Sequence, residues 1–289
     1  MPVYSHSRIS SFENCPLQYR YRYIDRIKRD VEGVEAFVGK VVHEVLQALY
    51  DDLARARKEG AQAFTSLFSR MWGERLSPAV RIVREHMTLE DYRALGERCV
   101  RSFYDRYKPF DTGEVLGCET RVEFRLDAEG RYRMLGFIDR IDRVGPDVIE
   151  IHDYKTGSLP RNGALRNDRQ LTLYEMALRE RYPQVREFRH VWHYLAHDTK
   201  FVEKRTVEDL RKTRLATIRA IQTIEATADF PARTSALCGW CEYQAICPEW
   251  AGRLPARVEP APLTARPAPP PTLEPGTGQY LLFGSPAGE

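Results

Sequence analysis

The chain has 289 residues, 43% hydrophobic and 29% charged, with a net charge of +3. These are the proportions of an ordinary globular protein, long enough for one large domain or two small ones, and the charge is too small to select a partner by itself. No apolar run of about eighteen residues occurs, which excludes an apolar membrane-spanning helix, and MPVYSHSRIS lacks the apolar core of a signal peptide, so a cytoplasmic location is expected.

Taken in chain order, YRYRYIDRIKR (19–29) comes first, interleaving cations with aromatics. That composition suits phosphate contact and base stacking, and equally a solvated amphipathic helix. Helical periodicity follows from Ala36 to about Arg57, where Phe37, Val41, Val42, Val45, Leu46 and Leu49 recur at three- and four-residue steps. Residues 61–75 and 89–108 are also expected to be helical. The pattern then changes, and CETRVEFRL (118–126) alternates as a half-buried strand does. Arg133–Val144 and Val148–Tyr154 are expected as two more strands around the turn signal Gly145-Pro146-Asp147. A helix is expected at 166–182, a strand at 188–196 and a helix at 206–226. The order predicts an α/β fold with a mixed sheet behind a helical N-terminal region. From Leu254 onward proline dominates, which predicts an extended, disordered linker over 253–278. One folded domain is therefore expected over 1–252, with 253–289 as its tail.

GFIDRID (136–142) and IHDYKTG (151–157) each place an acid near the end of an expected strand, Asp139 and Asp153. A short turn between the strands would set these carboxylates side by side. They would repel unless a cation lay between them, and hard oxygen ligands suit Mg²⁺ or Mn²⁺. Lys155, two residues past Asp153, projects from the same face and could offset charge at a scissile phosphate. An isolated D-x-K is more often an ion pair on an exposed hairpin. Gln170 and Tyr174, four apart on the following helix, share a face. His43, on an earlier helix, could complete a metal shell or be an ordinary buried histidine.

CGWCEYQAIC (238–247) packs Cys238, Cys241 and Cys247 into ten positions. In a reducing compartment such clustering points to a metal centre, which usually takes four thiolates. Cys99 and Cys118 fall on apolar faces and are expected to be buried thiols. His193 and His197 would share a strand face about 13 Å apart, too far for a common ion, and with His190 are expected to be structural.

Gly39-x-x-x-His43, Gly136-Phe137-Ile138-Asp139, Asp153-Tyr154-Lys155-Thr156-Gly157 and Gln170-x-x-x-Tyr174, in that order, resemble the RecB-type branch of the PD-(D/E)XK nuclease superfamily over most of residues 5–250. The resemblance implies a restriction-endonuclease-like mixed sheet flanked by helices and metal-dependent cleavage of DNA. It implies metal binding by His43, Asp139 and Asp153, catalysis by Asp139, Asp153 and Lys155, and a DNA site lined by Gln170 and Tyr174. Glu119 or Glu123 matches a further acidic position. By family analogy the substrate is single-stranded DNA or a DNA end, in repair or recombination. A CRISPR-adaptation trimming nuclease shares every motif, and a catalytically silent DNA-binding repair subunit is the alternative from another class. No GxxxxGK[ST] occurs, so unwinding would come from a helicase partner.

The resemblance also extends to SHSRISSFENCPLQYRYRY (5–23), which supplies Cys15. Relatives with this cysteine and a C-x₂-C-x₅-C carry a [4Fe–4S] cluster, here implied for Cys15, Cys238, Cys241 and Cys247. Structural Zn²⁺ accepts the same four ligands. Closing so long a loop would remove unfolded-state entropy on the order of 5 kcal/mol. Beyond the linker, QYLLF (279–283) resembles the peptide by which bacterial replication and repair proteins dock on the sliding clamp, with Gln279, Leu282 and Phe283 as anchors.

Overall fold

The entry segment is organised by its caps. Behind a two-residue strand β1 (Val3–Tyr4), Ser5 accepts a hydrogen bond from the Arg8 N–H and opens helix α1 (His6–Asn14). The chain leaves the helix at Cys15, and Pro16 in the first position starts a short α2 (Pro16–Tyr19) that widens into a π-turn at Arg20–Ile24. The run 19–29 is therefore not one amphipathic helix. Tyr19 is buried, Tyr23 packs on it with ring centroids 5.1 Å apart, and Arg22 is paired with Glu242. The computed structural model describes residues 2–250, so the expected tail and its Gln279, Leu282 and Phe283 lie outside the described residues.

Strand β2 (Glu32–Gly33) leads into α3 (Val34–Asp51), α4 (Leu53–Glu59) and α5 (Ala61–Arg75), and pairs in parallel with β3 (Val80–Arg81) ahead of α6 (Leu89–Tyr107). The single helix expected to run to Arg57 is two. Asp52 leaves helical geometry, and its carboxylate accepts the Arg55 N–H to cap α4. Val34, Phe37, Val41, Val45 and Leu49 of α3 join Phe68, Trp72, Val100 and Phe103 in a largely helical core.

The sheet comprises β1, β4 (Glu114–Arg125), β5 (Arg133–Gly145), β6 (Val148–Lys155), β7 (Glu187–Tyr194) and β8 (Thr199–Glu203). Alternation sets its faces: Val122 and Phe124 are buried while Arg121, Glu123 and Arg125 are exposed. Helix α7 (Arg169–Arg181) makes the crossover between the parallel strands β6 and β7, and α8 (Val207–Ala226) packs beside it over a second core. The mixed sheet flanked by helices is the expected class. Strand β8 was not expected, because TKFVE is a five-residue edge with little alternation. The chain leaves β7 at Tyr194 for a 3₁₀ turn at Leu195–His197, so His193 and His197 do not share a strand face. Cys99 is buried as expected, whereas Cys118 is only half-buried. Among the described residues, no helix is long and apolar enough to cross a membrane.

Strand β5 is unevenly paired along its two edges. One edge is paired with β4 from Arg133 to Arg143. On the other, β1 covers Arg133 and Met134, and β6 covers Arg140 to Gly145. Residues 135–139 lie in the gap between β1 and β6.

Gly96, inside α6, sets the spacing of α5 and α6: a Cβ there would lie 2.1 Å from the Phe68 ring. Gly→Ala in a helix interior ordinarily stabilises by about 0.5–1 kcal/mol. Here Gly96→Ala should instead destabilise by about 1–3 kcal/mol, the usual range for overpacking, measured by urea unfolding.

Candidate active site and cysteine cavity

At the gap, the backbone of one residue organises two side chains. The Tyr154 N–H donates to Asp139 Oδ2 at 2.7 Å, and the Tyr154 carbonyl accepts from His43 Nε2 at 2.9 Å. A carbonyl only accepts, so the neutral ring carries its proton on Nε2 and presents the Nδ1 lone pair. Nδ1 lies 3.5 Å from Asp139 Oδ2 and 3.9 Å from Glu119 Oε1. His43, Glu119 and Asp139 each bring one ligand atom within 4.8 Å of the others. A histidine held by a backbone carbonyl beside two carboxylates is a donor set for a divalent cation.

Glu119 reaches this point through an irregular backbone. Its φ of 43° is in the left-handed region, uncommon for a residue with a side chain. Glu123 stays exposed and paired with Arg121 and Arg133. Of the two acidic candidates, only Glu119 is in the cluster.

Asp153 and Lys155 are adjacent on β6, as the i, i+2 spacing requires. Lys155 Nζ lies 2.7 Å from Asp153 Oδ2 and donates to Asp153 Oδ1 at 3.0 Å and to Gln170 Oε1 at 3.2 Å. Gln170 in turn donates to the Tyr174 hydroxyl at 3.4 Å. The Asp168 carboxylate caps α7 and thereby places Gln170 in its first turn. Asp153 Oδ2 is buried and makes no hydrogen bond of good geometry, so its one charged partner at that oxygen is the Lys155 ammonium. Burial pushes the Asp153 carboxyl up to about 7, with Asp139 adding and Lys155 opposing. Burial likewise raises Asp139 against the pull of His43. For His43 and Lys155 burial works against the charge, but the neighbouring acids outweigh it and both are raised. The residues present fit a divalent ion.

Sequence reasoning missed a second cluster behind the first: Arg140, Asp142, His152 and His193 are all buried. Their positions on β5, β6 and β7 were visible, but charged residues flanking a site read as surface.

The four nominated cysteines line one cavity of about 380 Å³, with His6, Gln18, Arg233 and Trp240. Cys15 lies between α1 and α2, and 3₁₀ turns at Ala236–Trp240 and Gln244–Ile246 carry or flank the other three. The Arg233 and Ser235 N–H groups point at Cys15 and Cys238 Sγ, at 3.4 and 3.3 Å. Among the described residues, no three of these sulfurs lie within 4.8 Å of one another.

The mixed sheet sets the Asp153–Lys155 pair beside Asp139 and Glu119, a candidate centre for metal-assisted hydrolysis. Residues 3–248 match the family model of the PD-(D/E)XK nuclease superfamily, and the chain belongs to that superfamily. The fold is accordingly restriction-endonuclease-like. Among solved structures the chain is similar to a protein named SSO0001, at 13% identity over 86% of each chain and a TM-score of 0.38. It is also similar to a candidate exonuclease from Eubacterium rectale, at 12% identity over 91% of each chain and a TM-score of 0.47. No curated protein matches it.

Gly136 makes room for Tyr174, since a Cβ there would lie 2.3 Å from the tyrosine ring. Gly136→Ala should displace Tyr174 and loosen the Gln170–Lys155 chain, lowering cleavage at least tenfold for a stability loss of about 1–3 kcal/mol. Steady-state kinetics beside thermal unfolding would check both.

Proposed function

We propose that this nuclease is of the RecB type: a divalent-metal-dependent deoxyribonuclease acting on single-stranded DNA or DNA ends, as an exonuclease in repair or recombination. Residues 1–252 would be the catalytic domain and 253–289 a tail. The observation that carries the reading is the convergence of His43, Glu119 and Asp139 beside the Asp153–Lys155 pair. His43, Glu119, Asp139 and Asp153 would hold Mg²⁺ or Mn²⁺, which when bound polarises a phosphodiester and acidifies water. Lys155 keeps its proton on Nζ, anchored by Asp153 and Gln170, and offers that charge to the phosphate. Gln170 and Tyr174 would line the strand. The complete Asp139–Asp153–Lys155 set argues against a silent binding subunit.

Asp153→Ala and Lys155→Ala should each lower cleavage of labelled DNA by at least a thousandfold while retaining DNA binding, because these groups serve the transition state. Undiminished cleavage by either variant, or no cleavage by the parent protein with Mg²⁺ or Mn²⁺, refutes the assignment.

The cysteine cavity would hold a [4Fe–4S] cluster. One zinc ion at about 2.3 Å from each sulfur would draw the four within roughly 4 Å of each other. A cubane, in which each thiolate binds a different iron, spaces them more widely, and backbone N–H donors suit its sulfurs. Anaerobically purified protein should be brown with about four irons per chain, and Cys15→Ser should lose iron and stability together. Colourless protein with one zinc would identify the wrong metal. The peptide 279–283 would tether the nuclease to a sliding clamp and raise its concentration near DNA, with a helicase supplying single strands; both readings rest on the sequence.

A further inference from the structure

The backbone N–H and C=O that orient Asp139 and His43 belong to Tyr154, and the far end of that tyrosine is held by a buried guanidinium. Arg140 Nη1 donates to the Tyr154 hydroxyl at 2.6 Å. Its Nε donates to both oxygens of Asp142, at 3.0 and 3.1 Å, and Nη2 faces His152 Nδ1 at 3.1 Å. The Tyr50 ring of α3 lies over the guanidinium, 3.9 Å from ring centroid to its carbon. His152 meets Asp142 at 3.2 Å and His193 at 3.0 Å, and His193 meets the Tyr107 hydroxyl of α6 at 3.0 Å. Arg140 and Asp142 are only 3% and 5% exposed at the side chain. A fork with this many fixed partners has one orientation, and so does the hydroxyl it holds.

Arg140 and His152 adjoin Asp139 and Asp153 along β5 and β6, and the side-chain link to the site is Tyr154, held at its hydroxyl by Arg140 and turning both its N–H and its C=O to the proposed ligands. We propose that Arg140 is a positioning residue for the metal site: by fixing Tyr154 it sets the distance and orientation of Asp139 and His43 toward the ion. This rests on the metal-site reading above. Tyr154→Phe removes one hydroxyl and leaves the ring packed. Arg140→Lys keeps a charge opposite Asp142 but loses the fork.

The test is Mn²⁺ binding to the full chain, read by the electron paramagnetic resonance of free Mn²⁺, together with the Mn²⁺ concentration that half-saturates cleavage. Outer-shell partners of metal ligands typically contribute about 10–100-fold to affinity. Tyr154→Phe and Arg140→Lys should weaken Mn²⁺ binding by about that factor, with cleavage at saturating Mn²⁺ within a few-fold of the parent. Gly96→Ala, which lowers stability through Phe68 and alters none of the proposed ligands or the Arg140–Tyr154 contact, should leave Mn²⁺ affinity unchanged. Unchanged affinity in Tyr154→Phe, or equal weakening in Gly96→Ala, overturns the proposal. If Arg140→Lys fails to fold, Tyr154→Phe decides alone. If the parent binds no Mn²⁺, or Asp139→Ala binds it as tightly as the parent, the metal-site reading fails and this inference falls with it.

Discussion

Strands β5 and β6 are paired only as far as Arg140 and His152. Backbone groups freed where a ladder stops must find other partners if they are buried. Here the Tyr154 N–H finds Asp139 and its C=O finds His43, so the interruption becomes the orientation of two side chains of the candidate site. Strand β6 is not loosened by this, because β7 pairs with it through Lys155 and Tyr194. Had the β5–β6 ladder continued, the Tyr154 peptide would have bonded to β5 backbone, leaving no donor for Asp139 and no acceptor to fix the His43 tautomer.

Two clusters of buried charge flank that peptide and are handled in opposite ways. In the Arg140 cluster the only carboxylate is matched by the guanidinium, and burial keeps His152 and His193 neutral by lowering their pKa well below the ordinary value. A matched buried pair is tolerable when every donor and acceptor is satisfied. In the site itself the acids outnumber the cations. With its carboxyl at about 7 in the folded chain, Asp153 folds most favourably when protonated. Its ordinary value is near 4, so the resulting penalty is absent below about pH 4, grows as pH rises and is complete above about 7. Asp153 thus opposes folding at neutral pH, and the divalent ion proposed for this site would offset that penalty.

The parts of this molecule legible in its sequence are those governed by periodicity. Val122 and Phe124 alternate with Arg121, Glu123 and Arg125, so β4 was evident. The i, i+2 spacing of Asp153 and Lys155 and the i, i+4 spacing of Gln170 and Tyr174 survive unchanged into the structure. Glu119 was not separable from Glu123, because alternation puts both on one face. Only the left-handed backbone at Glu119 distinguishes them, and a torsion angle leaves no mark on a polarity pattern. The Arg140 cluster was hidden for the converse reason. Four polar side chains bury only because they satisfy one another across three strands, which no single-strand pattern records. Ile138 and Ile141, three apart in one core, show that the facing of β5 slips at Asp139–Arg140, where the two clusters part.

The cysteine cavity and the active site share α1. Cys15 ends this helix, while His6 at its start lines the same cavity and lies close enough to Lys155 and Arg169 for their charges to depress its ionisation, which burial already disfavours. Glu13 pairs with Arg169, the neighbour of Gln170, at 2.7 Å. A half-exposed ion pair of this kind contributes under about 1 kcal/mol, so it does not hold α1 in place. The aromatic cluster does: Phe12, Tyr19, Tyr23 and Phe230 lie with ring centroids 5.1 to 6.2 Å apart, each such pair adding about 0.5–1.5 kcal/mol beyond its buried area. The two ends of the domain are therefore joined by apolar packing before any thiolate binds a metal. The metal centre proposed at Cys15 would fix the end of a helix already seated by its aromatic cluster, which makes it a lock on this join rather than its cause.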